Sequence, residues 1–167
     1  MYDTVLYPTD GSDGADAALE TARDLAKTYG ATVHVLYVAN TNHDAFGLGG
    51  EPKEHAPGMV GDPDGGEAGM VGQRVETDEM YAQVEEHGQA IVDEAASHFD
   101  GVETETVVRS GDPHQVILTY ADELGADAIV MGTHGRTGLD RYLIGSVTEK
   151  VVRLSDVPVV TVRADES

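Results

Sequence analysis

Short β-branched runs alternate with helical patterns from one end of this chain to the other, and that alternation predicts a parallel sheet with helices on both faces. The first run, Thr4-Val5-Leu6-Tyr7, stops at Pro8, Asp10 and Gly11. Ala15, Ala18, Leu19, Ala22, Leu25, Ala26 and Tyr29 then recur at helical spacing, with Ser12 or Asp13 as N-cap and Gly30 as stop. Thr32 to Val38 reads as a second strand. A third, Val102 to Arg109, alternates apolar with acidic residues, which fits an edge or half-exposed position. Asp112-Pro113 supplies an N-cap and a proline at the first helical position. Val116, Ile117, Tyr120, Ala121 and Leu124 form the next helical face, closed by Gly125. Ala128-Ile129-Val130-Met131 is continuously apolar, as a strand buried on both faces requires. Val159 to Val162 is the last strand, and Pro158 at its start suits a sheet edge.

One stretch breaks the pattern. Asn40 to about Glu76 has no apolar period, and residues 41–72 hold 9 of the 20 Gly and 3 of the 6 Pro. It reads as a mobile insertion within a single domain spanning 1–167, either a lid or an inert solvated loop. Helical periodicity resumes at Met80, Val84, Ile91, Val92 and Ala95, with Thr77 or Asp78 as cap and Gly88 as a slight weakness. In open sheets of this kind, ligands bind beyond the carboxyl ends of the strands, where strand order reverses. Functional residues are therefore expected near Asp10 and Gly132.

Charge narrows the partners. The chain carries 10 Lys+Arg against 31 Asp+Glu, a formal charge of −21, which argues against nucleic acid and anionic membrane surfaces. No window approaches the roughly 20 apolar residues of a membrane span, and the opening MYDTVLYPTD lacks the basic and apolar regions of a signal peptide. A cytoplasmic location is the expectation. With no Cys, disulfides, thiolate metal sites and Cys nucleophiles are excluded. The acid excess runs throughout, with only 3 Lys and 7 Arg, and its self-repulsion is what molar salt screens. That pattern points to a high-salt cytoplasm, with an ordinary acidic protein as the other reading.

The segment Met131-Gly132-Thr133-His134-Gly135-Arg136-Thr137-Gly138 directly follows the buried strand. Nine residues separate Gly135 from Gly145, and Ser146-Val147-Thr148-Glu149 opens the last helix. Backbone N–H groups of a glycine-rich turn and of a helix N-terminus make a site for phosphate oxygens, to which the Ser146 and Thr148 hydroxyls add donors. Glycine suits that turn because a Cβ would block close approach. Arg136, Arg141, Lys150 and Arg153 place four of the ten basic residues within 18 positions that hold two acids. Arg136 and Arg141 suit an anion, whereas Lys150 and Arg153 suit the carboxyl end of the last helix. Ser146-x-x-Glu149 equally matches a capping box, so two readings compete for one hydroxyl.

The pattern of Gly132, Gly135, Gly145 and Ser146, G-x2-G-x9-G-S, resembles the nucleotide-binding signature of the universal stress protein family. The surrounding MGTHGRTGLDRYLIGSVTEKVVR, the terminal VPVVTV and the opening Pro8-Thr9-Asp10 resemble it as well, and only the insertion falls outside the likeness. The resemblance implies a Rossmann-like, adenine-nucleotide-binding α/β fold with five parallel strands in the order 3-2-1-4-5. It implies ATP binding, with Thr9 and Asp10 beside the nucleotide and Val38 offering main-chain contacts to adenine. Met131, Gly132, His134 and Gly135 would line the ribose and phosphates. Gly145, Ser146, Val147 and Thr148 would hold phosphates, with Mg²⁺ or Mn²⁺ near Asp10. It also implies a homodimer through the last strand, Val159, Val160, Thr161 and Val162, and physics agrees that an apolar edge wants covering.

Enzyme signatures are missing: the chain has no G-x-x-x-x-G-K-[ST], no G-x-G-x-x-G after the first strand and no G-x-S-x-G. Its seven His show no metal spacing, His43 and His55 reading as loop surface, and Asp62 to Glu67 has glycine and glutamate misplaced for a calcium loop. The expected function is an ATP-binding, dimeric stress-response or regulatory protein whose nucleotide is mainly a ligand, with an unknown protein partner. A slow ATP hydrolase or self-phosphorylating enzyme in the same pocket, and a nucleotide-free dimerisation adaptor, are the other two readings.

Overall fold

The sheet is built outward from one central strand. The computed structural model describes residues 2–40, 68–133 and 145–164, with backbone alone for 68–78 and 80. Strands β1 (Thr4–Pro8), β2 (Thr32–Asn40), β3 (Thr104–Gly111), β4 (Ala128–Gly132) and β5 (Val159–Val162) lie parallel in the order β3-β2-β1-β4-β5. The strand order that the family resemblance implied is the one observed. Between them run helices α1 (Asp13–Tyr29), α2 (Ala68–Ser97), α3 (Pro113–Leu124) and α4 (Ser146–Leu154).

Side-chain alternation divides the core into two layers. Val5, Tyr7, Val33, Val35 and Val130 face α1 and α2, where they meet Ala18, Leu19, Ala22, Ala26, Val92, Ala95 and Phe99. Leu6, Leu36, Ile129 and Met131 face α3 and α4, against Ile117, Tyr120, Ala121 and Val151. All five residues of β4 are buried, as the continuous apolar run predicts. His34 points into the second layer with its Nδ1 3.2 Å from the Tyr120 hydroxyl, so this buried imidazole has its partner. β3 and β5 are the edges, as their sequences foretell.

Local signals account for the helix ends. The Ser12 Oγ accepts from Ala15 N–H at 3.3 Å, and Gly30 and Gly125 close their helices in the left-handed conformation at φ 69° and 62°. Several boundaries differ from expectation, β3 running on to Gly111 and β4 to Gly132 among them. β3 starts two residues later than Val102, because Val102 N–H closes a turn onto the Phe99 carbonyl before pairing begins. β2 continues past Val38 to Asn40. α2 starts at Ala68 rather than near Thr77, since Gly69 and Gly72 lower intrinsic helix propensity without stopping a helix. The glycine-rich connection is shortened accordingly, and residues 41–67, with His43, His55 and the Asp62–Glu67 run, lie outside the described residues.

Gly88 is more than a weak point in α2. An added Cβ would sit 2.5 Å from Tyr37 Cδ1 and 2.9 Å from Val108 Cγ1. The helix therefore rests directly on β2 and β3 at this residue, and only glycine permits that approach.

Candidate functional site

β1 and β4 are neighbours at the centre of the sheet, and from them the chain winds outward to β2 and β3 on one side and β5 on the other. In open sheets that reversal of strand order marks the ligand crevice, beyond the carboxyl ends of the two strands. The β1 side is a tight turn. Thr9 N–H donates to the Leu36 carbonyl at 2.8 Å, its Oγ1 accepts from Gly11 N–H at 3.1 Å, and Asp10 Oδ1 accepts from Ser12 N–H at 2.9 Å. Gly11, at φ +75°, supplies the conformation that side chains resist. Beneath the turn, the buried Tyr7 hydroxyl donates to the Ala15 carbonyl at 2.7 Å, and burial pushes its pKa up.

The β4 side is assembled from backbone. An added Cβ on Gly132 would lie 2.2 Å from the Gly14 carbonyl oxygen, so the first turn of α1 packs on the end of β4 with no space between. Thr133 N–H donates to the Val162 carbonyl at 3.0 Å, and its own carbonyl accepts from Gly145 N–H at 2.6 Å. The buried Thr148 hydroxyl donates to the Gly132 carbonyl at 2.8 Å. Its proton thus joins α4 to β4, where a phosphate donor was expected.

Ser146 is resolved differently from its capping-box reading. Gly145 is the N-cap of α4, it makes no side-chain cap, and Glu149 pairs with Arg153 one turn on. Glu149 N–H is the first to reach a helical carbonyl, that of Gly145 at 2.9 Å. The N–H groups of Ser146, Val147 and Thr148 come before it and emerge at the helix end, where the dipole favours an anion. α1 offers no such end. Ser12 caps it, and Asp13 and Asp16 place negative charge in its first turn. A cleft of about 460 Å³ between α1 and α2, bordered by Thr9 and Gly11, adds Glu20 and Glu94 to Asp16, with Arg23 opposing them. Burial, then Asp13 and Glu94, holds the Asp16 carboxyl above its ordinary range. Of the two helix N-termini beside the crevice, the electrostatics leave α4 for an anion.

Pro8, Thr9, Asp10, Met131, Gly132, Gly145, Ser146, Val147 and Thr148 are thus brought to the carboxyl ends of two adjacent strands. Val38 stands on β2 two residues past Leu36, the last β2 residue in register with β1. Alternate residues of a parallel strand turn their main-chain groups to the same neighbour. Leu36 faces β1, so Val38 does too. His134, Gly135, Arg136 and Arg141 lie outside the described residues. Among the described residues no three His, Asp or Glu side chains converge on a metal position, so Asp10 would meet a cation only alongside another ligand. Lys150 and Arg153 lie on α4, Arg153 in its last turn, as the helix-dipole reading places it.

Sequence reasoning missed one pairing. Asp112 occupies the N-cap position of α3 without capping it, and its Oδ1 lies 2.7 Å from His114 Nδ1. The Asp-Pro-His spelling was the available signal.

The architecture defines the class: a Rossmann-like α/β domain with its crevice at the switch in strand order. The comparisons narrow it further. The profile of the Universal stress protein family matches residues 1–163. Universal stress protein YxiE of Bacillus subtilis is 31% identical over 169 residues, covering 98% of this chain and 100% of its own. Among solved structures, that of MJ0577 from Methanocaldococcus jannaschii superposes with a TM-score of 0.76 at 26% identity, over 100% of this chain and 99% of that one. An Arabidopsis thaliana family protein, At3g01520 with AMP bound, shares the fold at a TM-score of 0.62 and 16% identity, over 98% and 92%. This chain belongs to the universal stress protein family.

Proposed function

We propose that this chain binds ATP in the β1–β4 crevice, the nucleotide acting as the ligand of a regulatory, stress-response protein. The observation that carries the reading is the N-terminus of α4, led by Gly145 without a side-chain cap and hung on the end of β4. Such an end binds phosphate oxygens through backbone N–H groups. In this reading Ser146, Val147 and Thr148 receive the phosphates, together with Gly135, Arg136 and His134 of the glycine-rich turn. Met131 and Gly132 line the ribose, Pro8, Thr9 and Asp10 close the β1 side, and Val38 presents its main chain to the adenine. Mg²⁺ or Mn²⁺ enters on the phosphates, with Asp10 beside it. The AMP held by the Arabidopsis protein of the same fold supports an adenine nucleotide. We extend the proposal to a homodimer paired through the β5 edge and to a salt-rich cytoplasm, which the charge of −21 supports.

The test is thermal unfolding with ATP, ADP and AMP in molar KCl and Mg²⁺, with Gly135→Val as the blocked-turn control. Ligand at 100 times its Kd adds about 2.7 kcal/mol, a rise on the order of 5–10 °C in Tm for a domain of this size. A rise that Gly135→Val abolishes is the expected result. A folded protein that ATP leaves unshifted would move the reading to a nucleotide-free adaptor. Single-turnover assays with and without Mg²⁺ or Mn²⁺ then separate ligand from hydrolysed substrate.

A further inference from the structure

Tyr7 is a buried titratable side chain that the nucleotide reading leaves without a task. It is the penultimate residue of β1, fully buried, three residues before Asp10. Its ring belongs to the α1–α2 layer and stands edge-on to Phe99, with centroids 5.7 Å apart. Its hydroxyl reaches the first turn of α1 and donates to the Ala15 carbonyl at 2.7 Å. The Thr9 hydroxyl hydrogen-bonds to Tyr7 as well. A hydroxyl has one proton to give, and that of Tyr7 goes to Ala15, so Thr9 is the donor between the two. Gly11 N–H in turn donates to Thr9 Oγ1 at 3.1 Å. The bonds therefore run in one direction, from Gly11 to Thr9, to Tyr7, to Ala15, and each polarises the next. Burial holds the Tyr7 pKa above its ordinary value, so the phenol remains a donor at neutral pH.

The peptide unit shared by Gly14 and Ala15 rests on the end of β4. A Cβ on Gly132 would lie 2.2 Å from the Gly14 carbonyl oxygen and 3.1 Å from Ala15 N. The Gly132 carbonyl accepts the Thr148 proton at 2.8 Å, which ties down the N-terminus of α4. Direct contacts thus lead from Tyr7 to Ala15, from Gly14 to Gly132, and from Gly132 to Thr148. The two strand ends that they bridge are those carrying Asp10 and Gly132.

We infer that Tyr7 is a positioning residue for the nucleotide: its hydroxyl sets the Thr9–Gly11 turn and the first turn of α1 against β4, and with them the spacing between the β1 side of the crevice and the N–H groups of α4. Being fully buried, Tyr7 acts through these neighbours and not on the ligand itself. The inference rests on the nucleotide reading above and deepens it.

The experiment measures Kd for ATP on the full chain by calorimetric titration, well below Tm. Tyr7→Phe keeps the ring in the core without its hydroxyl and is expected to weaken ATP about fivefold, the worth of one hydrogen bond. Thr9→Val weakens it as well, whereas Thr9→Ser keeps the hydroxyl and retains wild-type affinity. Tyr7→Phe combined with Thr9→Val loses no more than the worse single variant, since one chain of bonds is broken once. Asp127→Asn removes hydrogen bonds to Asp3 and Thr4 at the amino ends of the strands, and should lower Tm without changing Kd. A merely structural Tyr7 would behave like Asp127, with lower Tm and unchanged Kd, and that result overturns the assignment. Losses that multiply in the double variant overturn it too. If wild type binds no ATP, the nucleotide reading itself falls.

Discussion

Gly132 and Gly14 meet backbone to backbone: a Cβ on the first would lie 2.2 Å from the carbonyl oxygen of the second and 2.5 Å from its carbonyl carbon. The glycine that sequence alone assigns to a phosphate turn thus also determines how closely α1 approaches β4. Gly132→Ala presses a methyl group on main-chain atoms that no rotamer change can move. The cost should stand at the upper end of overpacking, about 3 kcal/mol, and Tm should fall by about 6–12 °C. Nucleotide response should go with it, since the same displacement moves both sides of the crevice. A variant as stable as wild type would contradict the contact.

Gly88→Ala distinguishes two effects of opposite sign. In an exposed helix the change stabilises by about 1 kcal/mol. Here the methyl would meet Tyr37 at 2.5 Å and Val108 at 2.9 Å, and overpacking costs about 1–3 kcal/mol. The net is a loss of up to about 2 kcal/mol in urea unfolding, with ATP affinity unchanged because α2 touches β2 and β3 there. A gain in stability would show that α2 stands off the sheet.

Ser146 and Thr148 should separate cleanly. Thr148→Val deletes a buried donor to the Gly132 carbonyl and should cost about 1–3 kcal/mol. Ser146→Ala removes no cap and should stay within about 0.5 kcal/mol, while weakening ATP binding. A loss of about 1 kcal/mol for Ser146→Ala would restore the capping box.

Two carboxylates should give opposite pH signatures. Asp127 accepts from the N–H groups of Asp3 and Thr4 at 2.8 and 3.0 Å, which hold its folded pKa below the unfolded value. Its stabilisation is complete above the unfolded value and fades as pH falls through the folded one. Asp127→Asn should therefore lower Tm at neutral pH, by an amount that shrinks in acid. Asp16 is the reverse case, raised first by burial and then by Asp13 and Glu94. Its ionised form destabilises the fold, so Asp16→Asn should raise Tm at neutral pH and change nothing below the ordinary carboxylate range. Tm against pH for the three proteins reads both.

Salt should stabilise the chain. With 31 Asp+Glu against 10 Lys+Arg, self-repulsion opposes compaction, and molar KCl shortens the Debye length to about 3 Å. Stability by urea unfolding should rise steadily from low salt to molar KCl. A flat response would reject the saline reading.

Much of the fold was legible because its signals are local. Ser12, Gly30 and Gly125 act within one turn of themselves, and the short unbroken apolar run of β4, bounded by turn residues, fits a strand covered on both faces. What was hidden depends on partners distant in sequence. Gly88 reads as a flaw until Tyr37 and Val108 are seen beneath it. Ser146 spells a cap, yet the chain enters α4 one residue earlier, where Gly145 is tied to Thr133. Thr148 reads as a phosphate donor until Gly132, on another element, takes its proton. Asp112 reads as a cap for α3, and nothing in an N-cap pattern says that a histidine two residues on will claim it.

Thr133 joins two events that are otherwise separate. Its carbonyl anchors the start of α4, and its N–H anchors the end of β5, so one residue lies between that helix and the outermost strand. A displacement of the α4 start would therefore reach Val162 through that single residue. The start of α4 and the edge strand are thereby moored to one post, and neither can shift without loading Thr133.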